Sequence, residues 1–286
     1  MNAPVVPSAD HSVEVALSPV ARTLLVPLWA RAEESRRASP VMYDPKAAAI
    51  VRALDVDLSV LEAARASQLG CCVRGALVDR WVREFLDAHP EGTVIELGVG
   101  LNSRQERLDN GRARWVEVDL PEVMSLRDRF FAPHPRRVAL AGSITELDTI
   151  EAIRDAARGP CLAVSEGVLV YLQVDEVRAL LARLRAALPG AALILDTMTR
   201  PVIQLQGAHD AMRHFDARFT WGVDAPGDIA GYASGLEVER SHSFYELLYA
   251  HPARLPPWMR VAGPPLAAVW PGVRWCYAMH QVRLGR

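Results

Sequence analysis

The sequence predicts an α/β protein built on a parallel β-sheet, and three observations carry that prediction. Short apolar runs alternate five times with amphipathic helical patterns between residues 93 and 197, as βα units do. One stretch, Thr93 to Pro121, holds a strand, a glycine turn, a helix start, a second strand and a terminal acid, in that order. The ninety residues ahead of it read mostly as helix and lead into the first strand.

Residues 1–18 contain Pro and Ser without periodicity and read as a mobile tail. From Ala21 to Arg37, apolar side chains (Leu24, Leu25, Leu28, Trp29, Ala32) fall at helical spacing. Asp44-Pro45 opens a second helix through Ala47, Ile50, Val51 and Leu54. Gly75 to Ala88 repeats the pattern and stops at His89-Pro90. Thr93 to Leu97 is the first buried strand. Ser103 and Glu106 have capping-box spacing at the helix that follows. Trp115 to Val118 is the second strand, ending at Asp119; Leu120-Pro121 breaks it, and Val123 to Phe131 is helical. Arg137 to Ser143, Cys161 to Ser165 and Ala191 to Thr197 are the next strands, separated by helices from Glu146 to Ala157 and from Val174 to Leu188. Residues 198–235 show no buried strand. Leu236 to Phe244 and Val273 to Leu284 are the last two strands, the second partly alternating as in an antiparallel pair. Between them Pro252, Pro256, Pro257, Pro264 and Pro265 restrict regular structure to one helix near Tyr245 to Ala250.

Composition narrows the classes. Half of the 286 residues are apolar, enough for a large core. A formal charge of −2 supplies no basic field for a phosphate backbone, which argues against a nucleic-acid partner. There is no apolar run of membrane-spanning length and no signal-peptide core, so a cytoplasmic protein without a membrane partner is expected. Cys71, Cys72, Cys161 and Cys276 lack metal-ligand spacing. Four reduced thiols and no metal are expected; the oligomeric state stays open.

Gly98-Val99-Gly100 follows the first strand, where two glycines permit a tight turn and a close ligand approach. Asp119 ends the next strand twenty-one residues beyond Gly98, a place from which an acid accepts both hydroxyl hydrogens of an adenosine ribose. Together they predict a site for an adenosine-containing cofactor. A dinucleotide fold usually adds a third glycine for the pyrophosphate; Ser103 stands there instead. Glu96, just before the turn, would repel phosphate and attract a cation. S-adenosyl-L-methionine carries a sulfonium and an ammonium and no phosphate, so charge favours it over NAD. The alternative is a glycine pair that only shapes the turn, with Asp119 a coincidence.

Ligands of an open parallel sheet bind outside the carboxyl ends of the strands, near the reversal of strand order. Those ends are Gly98 to Asn102, Asp119-Leu120, Gly142-Ser143, Glu166-Gly167 and Asp196-Thr197. Asp119 would take the ribose, Ser143 and Ile144 the adenine, and Gly98 and Gly100 the methionine part. Glu166 either pairs with the cofactor ammonium or is a solvated strand-end carboxylate. Arg74, placed ahead of the third helix, either holds the cofactor carboxylate bidentately or is an ordinary surface arginine. Tyr171 either lines the acceptor pocket or packs in the core. His209 and His214 are five apart, a poor spacing for a helical metal pair; either is a candidate general base for a hydroxyl acceptor.

Four segments carry a resemblance: TLLVPLWARAEESRR with YDPKA, VIELGVGLNSRQERLDNGRARWVEVDLPEV, SEGVLVYL and FDARFTWGVDAP. They are similar to the leucine carboxyl methyltransferase superfamily, in its tetracenomycin-type polyketide O-methyltransferase branch, from about Thr23 to Asp228. The resemblance implies a class I methyltransferase fold, a Rossmann-like seven-stranded sheet with the last strand antiparallel. It implies an N-terminal tail and helical cap over residues 1–90, a methyltransferase domain over 91–286, and an acceptor-capping insertion at about 198–235. By motif position it assigns Gly98 and Gly100 to the cofactor loop, Asp119 to the ribose, Arg74 to the methionine carboxylate and Glu166 to the ammonium. Arg31 aligns loosely with a second basic contact. Much of the superfamily has Asp-Thr where this chain has Asn102-Ser103, a swap that removes a charge. The implied reaction is methyl transfer to a carboxylate or phenolic hydroxyl of a small aromatic or polyketide-like metabolite. Methylation of a protein C-terminus, and cofactor binding without turnover, are the alternatives.

Overall fold

The computed structural model describes residues 13–255 and 257–285. Seven strands, β1 (Thr93–Leu97), β2 (Arg114–Asp119), β3 (Arg137–Ala141), β4 (Cys161–Ser165), β5 (Ala192–Met198), β6 (Leu236–Ser243) and β7 (Tyr277–Leu284), form one sheet. Their order is β3-β2-β1-β4-β5-β7-β6. Strands β1 to β5 pair in parallel, and β7 runs antiparallel to both of its neighbours. The seven-stranded sheet with an antiparallel last strand is therefore present as expected.

Helices α1 (Leu25–Glu34), α2 (Pro45–Ala53), α3 (Arg65–Ala88), α4 (Arg104–Leu108) and α5 (Pro121–Arg127) precede or flank the first strands. They are followed by α6 (Leu147–Ala156), α7 (Val174–Ala187), α8 (Phe244–Tyr249) and α9 (Pro257–Val269). All five residues of β1 are buried because both sheet faces are covered. Ile95 and Leu97 point into a layer with Ile150, Ile153, Val177 and Leu181 of α6 and α7. Val94, from the opposite face, meets Leu77, Trp81 and Val82 of α3. The α1 and α2 residues Leu25, Leu28, Ala47 and Ile50 pack with Leu101, Leu126 and Phe130, which sets these N-terminal helices over the carboxyl rim of the sheet.

Several expectations need correction. Of the expected mobile tail, residues 1–12 lie outside the described residues. The rest is ordered: Val13 and Glu14 pair with Leu54 and Asp55, and a short helix covers Pro19–Arg22. Helix α3 begins at Arg65, ten residues before the expected start at Gly75, so Arg74 lies inside it. Its two glycines allow close approach rather than marking an end. A Cβ on Gly75 would lie 3.1 Å from Met42, and one on Gly70 would lie 2.7 Å from the Phe244 ring. The start is capped from far away: Asp210 accepts the N–H groups of Ala66 and Ser67 at 3.0 and 3.2 Å.

The capping box at Ser103 does not form. Ser103 donates its hydroxyl to Asp44 at 2.7 Å, and Glu106 reaches Lys46 at 3.2 Å. Asn102 accepts the Arg104 N–H at 3.1 Å instead. Finally, the proline-rich stretch after β6 holds helix α9 in addition to the expected α8. Pro257 begins it, where a missing N–H costs nothing; Pro264 and Pro265 lie within it.

Candidate functional site

The chain runs out from β1 through β2 to β3 and returns on the other side of β1 to β4, so the order reverses between β1 and β4. A cavity of about 620 Å³ opens there, at the carboxyl ends of the parallel strands. Its wall includes Gly98, Gly100 and Asn102 after β1, and Asp119 and Leu120 after β2. Ser143 and Ile144 after β3, and Glu166 and Gly167 after β4, complete that side. The cofactor residues proposed from the sequence thus converge on one rim.

Local geometry explains why these residues are suited to the place. Gly98 and Gly100 have φ of 74° and 52°, a region that favours glycine. A Cβ on Gly98 would also lie 2.4 Å from a Val168 methyl. Asp119 accepts the N–H of Gly100 at 2.7 Å and that of Leu120 at 2.8 Å, one on each oxygen. Burial raises its pKa against those two hydrogen bonds. Each oxygen keeps a lone pair for a further donor, which is what a ribose diol offers.

On the other side of the reversal lies a buried charge network. Arg74 donates to Glu166 at 2.9 Å and to the Tyr277 hydroxyl at 2.7 Å, with Asp196 at 3.5 Å. Tyr277 in turn donates to Asp196, which also accepts the Gly167 N–H at 2.8 Å. Arg104 is 1% exposed and binds Asp79, Glu96 and Glu166 together. Burial alone would raise the pKa of Glu166, but Arg74 and Arg104 outweigh it and hold the carboxyl at about 2. Glu96 lines the cavity, yet Arg104 occupies both its oxygens at 2.8 and 2.7 Å. The charge expected at Glu96 to attract a cationic group is thus shared with the Arg104 guanidinium. Arg31 is held by Asp44 at 2.9 Å and by the Leu101 carbonyl at 3.0 Å, and it also lines the cavity.

The catalytic candidates divide. Tyr171 and His209 line the cavity; His214 does not. His214 is exposed and meets Arg213 at 3.1 Å. Tyr171 donates to the Met212 sulfur at 3.7 Å, and burial pushes its pKa up to about 12. Tyr171, Phe219 and His209 form an aromatic wall, with ring centroids 5.4 and 5.8 Å apart. Sequence reading missed Asp196 and Tyr277 as partners of Arg74, and Phe244 and Leu248 of α8 as cavity wall. An alternating strand residue such as Tyr277 gives no sign of the arginine it will meet. Among the described residues, no group of three or more His, Cys, Asp or Glu is arranged to hold a metal ion. No helix among them is long and apolar enough to cross a membrane, and the four cysteines are free thiols.

The strand order, with the glycine turn and the strand-end acid Asp119 at its reversal, is that of a class I S-adenosyl-L-methionine-dependent methyltransferase. The sequence model of leucine carboxyl methyltransferase matches residues 25–185, and the chain belongs to that family. It is 29% identical over 241 residues to the tetracenomycin polyketide synthesis O-methyltransferase TcmP of Streptomyces glaucescens, covering 84% of this chain and 88% of that one. An S-adenosyl-L-methionine-dependent methyltransferase of Gibberella zeae is 27% identical over 254 residues, covering 78% and 82%. A solved structure of a candidate methyltransferase from Thermobifida fusca superimposes with a TM-score of 0.57 at 17% identity, over 90% of this chain and 94% of that one. The last of these shows a shared fold.

Proposed function

We propose that the protein methylates a carboxylate oxygen of a small aromatic or polyketide-like acid. The observation that carries this reading is the absence of an available base among the described cavity residues. Asp119 and Glu166 are committed to backbone N–H groups or guanidiniums, as is Asp196, which also accepts from Tyr277. Asp210 is committed to the start of α3. Tyr171 holds its proton to about pH 12, and His209 spends a ring nitrogen on the Met212 N–H at 3.2 Å. A carboxylate is ionised at neutral pH and needs no base, whereas a phenol with a pKa near 10 does. The name of the TcmP relative, an O-methyltransferase of polyketide synthesis, supports the acceptor class.

S-adenosyl-L-methionine supplies the methyl group, carried on a sulfonium. Asp119 would hold the ribose, Arg74 the carboxylate and Glu166 the ammonium, with Ser143 and Ile144 beside the adenine. In the transfer, an acceptor oxygen lone pair forms the O–CH₃ bond while the S–CH₃ pair returns to sulfur, and no proton moves. The chain contributes alignment and dryness: Val170, Tyr171, Met212 and Phe219 exclude water from the acceptor side.

The test supplies methyl-labelled cofactor with aromatic carboxylic acids, the matching phenols and a peptide bearing a free C-terminus. Label in carboxylic acids as base-labile ester is the expected result. Label in phenols alone, or in the peptide alone, would overturn the reading.

A further inference from the structure

The geometry points to His209 as a hydrogen-bond donor to the acceptor, its Nε2–H fixed by the protein, rather than as a general base. This inference rests on the carboxylate reading above. His209 Nδ1 accepts the Met212 N–H at 3.2 Å. That contact requires a lone pair on Nδ1, so in the neutral ring the proton sits on Nε2. Turning the ring over would set a C–H against the Met212 N–H and lose the bond.

One neighbour competes. Asp210 Oδ1 lies 3.6 Å from the same nitrogen and would favour a proton there. The carboxylate is already engaged, however: Oδ1 accepts the Ser67 hydroxyl, and Oδ2 accepts the N–H groups of Ala66 and Ser67. At 3.6 Å the pair is also beyond hydrogen-bond length. Burial lowers the His209 pKa against the pull of Asp210, so the neutral ring prevails near pH 7.

The rest of the acceptor wall explains why one donor matters. The Thr23 hydroxyl donates to the Val20 carbonyl, Ser67 to Asp210, Tyr171 to Met212 and Tyr277 to Asp196. Each hydroxyl proton is spent within the protein. Nε2 of His209 takes no hydrogen bond among the described residues, and its ring lines the cavity with Phe219 edge-on at 5.8 Å. A carboxylate entering between Phe219 and Met212 finds there an N–H that orients the attacking oxygen, and finds no lone pair that could remove a proton.

Two measurements test this. The first uses the ¹⁵N-labelled full chain without acceptor at pH 7.5, with the His209 ring signals assigned by their loss in His209→Ala. Long-range ¹H–¹⁵N spectra should show the Nε2–H tautomer; an Nδ1–H tautomer or an imidazolium would overturn the proposal. The second measures methyl transfer to benzoate, 2-naphthoate and anthracene-2-carboxylate. His209→Ala should raise KM roughly tenfold, the scale of one lost hydrogen bond to a charged group, with kcat changed less than about threefold. His209→Gln places an amide N–H near Nε2 and should restore KM to within about threefold of wild type. Equal losses in the Gln and Ala variants, or a loss confined to kcat, would overturn the assignment. If wild type esterifies none of the three acids, the carboxylate reading fails and the tautomer alone decides the state of His209.

Discussion

Asp119 is fixed before any ligand arrives, because each oxygen already accepts a backbone N–H from the turn it faces. Replacing it with Asn sets an NH₂ against one of those N–H groups and removes an acceptor from the proposed ribose contact. Asp119→Asn should weaken S-adenosyl-L-methionine binding by tenfold or more, at about 1–3 kcal/mol per unmade hydrogen bond, read by titration calorimetry. Affinity within twofold of wild type would remove Asp119 from the ribose site. His280 gives a pH prediction. It is fully buried between Thr197 at 2.9 Å and Ser241 at 2.8 Å, and burial pulls its pKa down to about 4. The unfolded chain, with an ordinary histidine pKa of about 6.5, takes up the proton first. The stability present above pH 6.5 is therefore lost as pH falls from about 6.5 to about 4, by about 3 kcal/mol in the limit. Urea midpoints of His280→Gln should fall less steeply across that window than those of wild type. At this scale the sequence was half legible. Asp119 and the glycines announce themselves by position, whereas nothing in the sequence around Arg104 tells that Asp79, Glu96 and Glu166 will close around it.

Helix α3 joins the two halves of the site, since Arg74 lies on it and its first turn is capped by Asp210, next to His209. Removing that cap should destabilise the protein by about 1–2 kcal/mol and free the first turn. Asp210→Ala is expected to lower the urea midpoint and to speed amide exchange at Ala66 and Ser67 by more than it speeds exchange in β1. The turn after β1 is less tolerant. Gly98→Ala combines a φ of 74° with a contact 2.4 Å from Val168. Its expected outcome is loss of measurable cofactor binding together with a lowered thermal midpoint; normal binding would show that the turn can relax. The start of α3 escaped sequence reading for a physical reason. A helix usually advertises its own cap within four residues, and this one takes it from 143 and 144 residues away. Ser103 shows the converse, a well-spaced cap diverted to Asp44 by tertiary packing. Helix α9 was hidden by its prolines, which argue locally against helix whatever the neighbours supply.

The sheet was the most legible feature of the whole molecule. Strands buried on both faces read as near-continuous apolar runs, and β1, β2, β4 and β5 read so apart from their end residues and the buried acids Glu96, Glu117 and Asp196. Ligand binding should be visible at this scale too. A hundredfold excess over the dissociation constant adds about 2.7 kcal/mol, which for 286 residues raises the thermal midpoint by about 4–5 °C. S-adenosyl-L-methionine and S-adenosylhomocysteine should both produce that shift, and NAD should not. The insertion of β7 between β5 and β6 reaches further. Tyr277, the partner of both Arg74 and Asp196, arrives 203 residues after Arg74 and 81 after Asp196. During synthesis, the glycine turn, Asp119, Arg74 and Arg104 all emerge before β7. Until that late strand emerges and docks, Asp196 lacks its Tyr277 hydroxyl, and α8 has no Tyr277 ring for Phe244 to lean on. An arrested polypeptide without β7 would thus carry much of the sequence signature of this enzyme, yet lack the Tyr277 hydroxyl that joins Arg74 to Asp196 and the ring on which Phe244 rests.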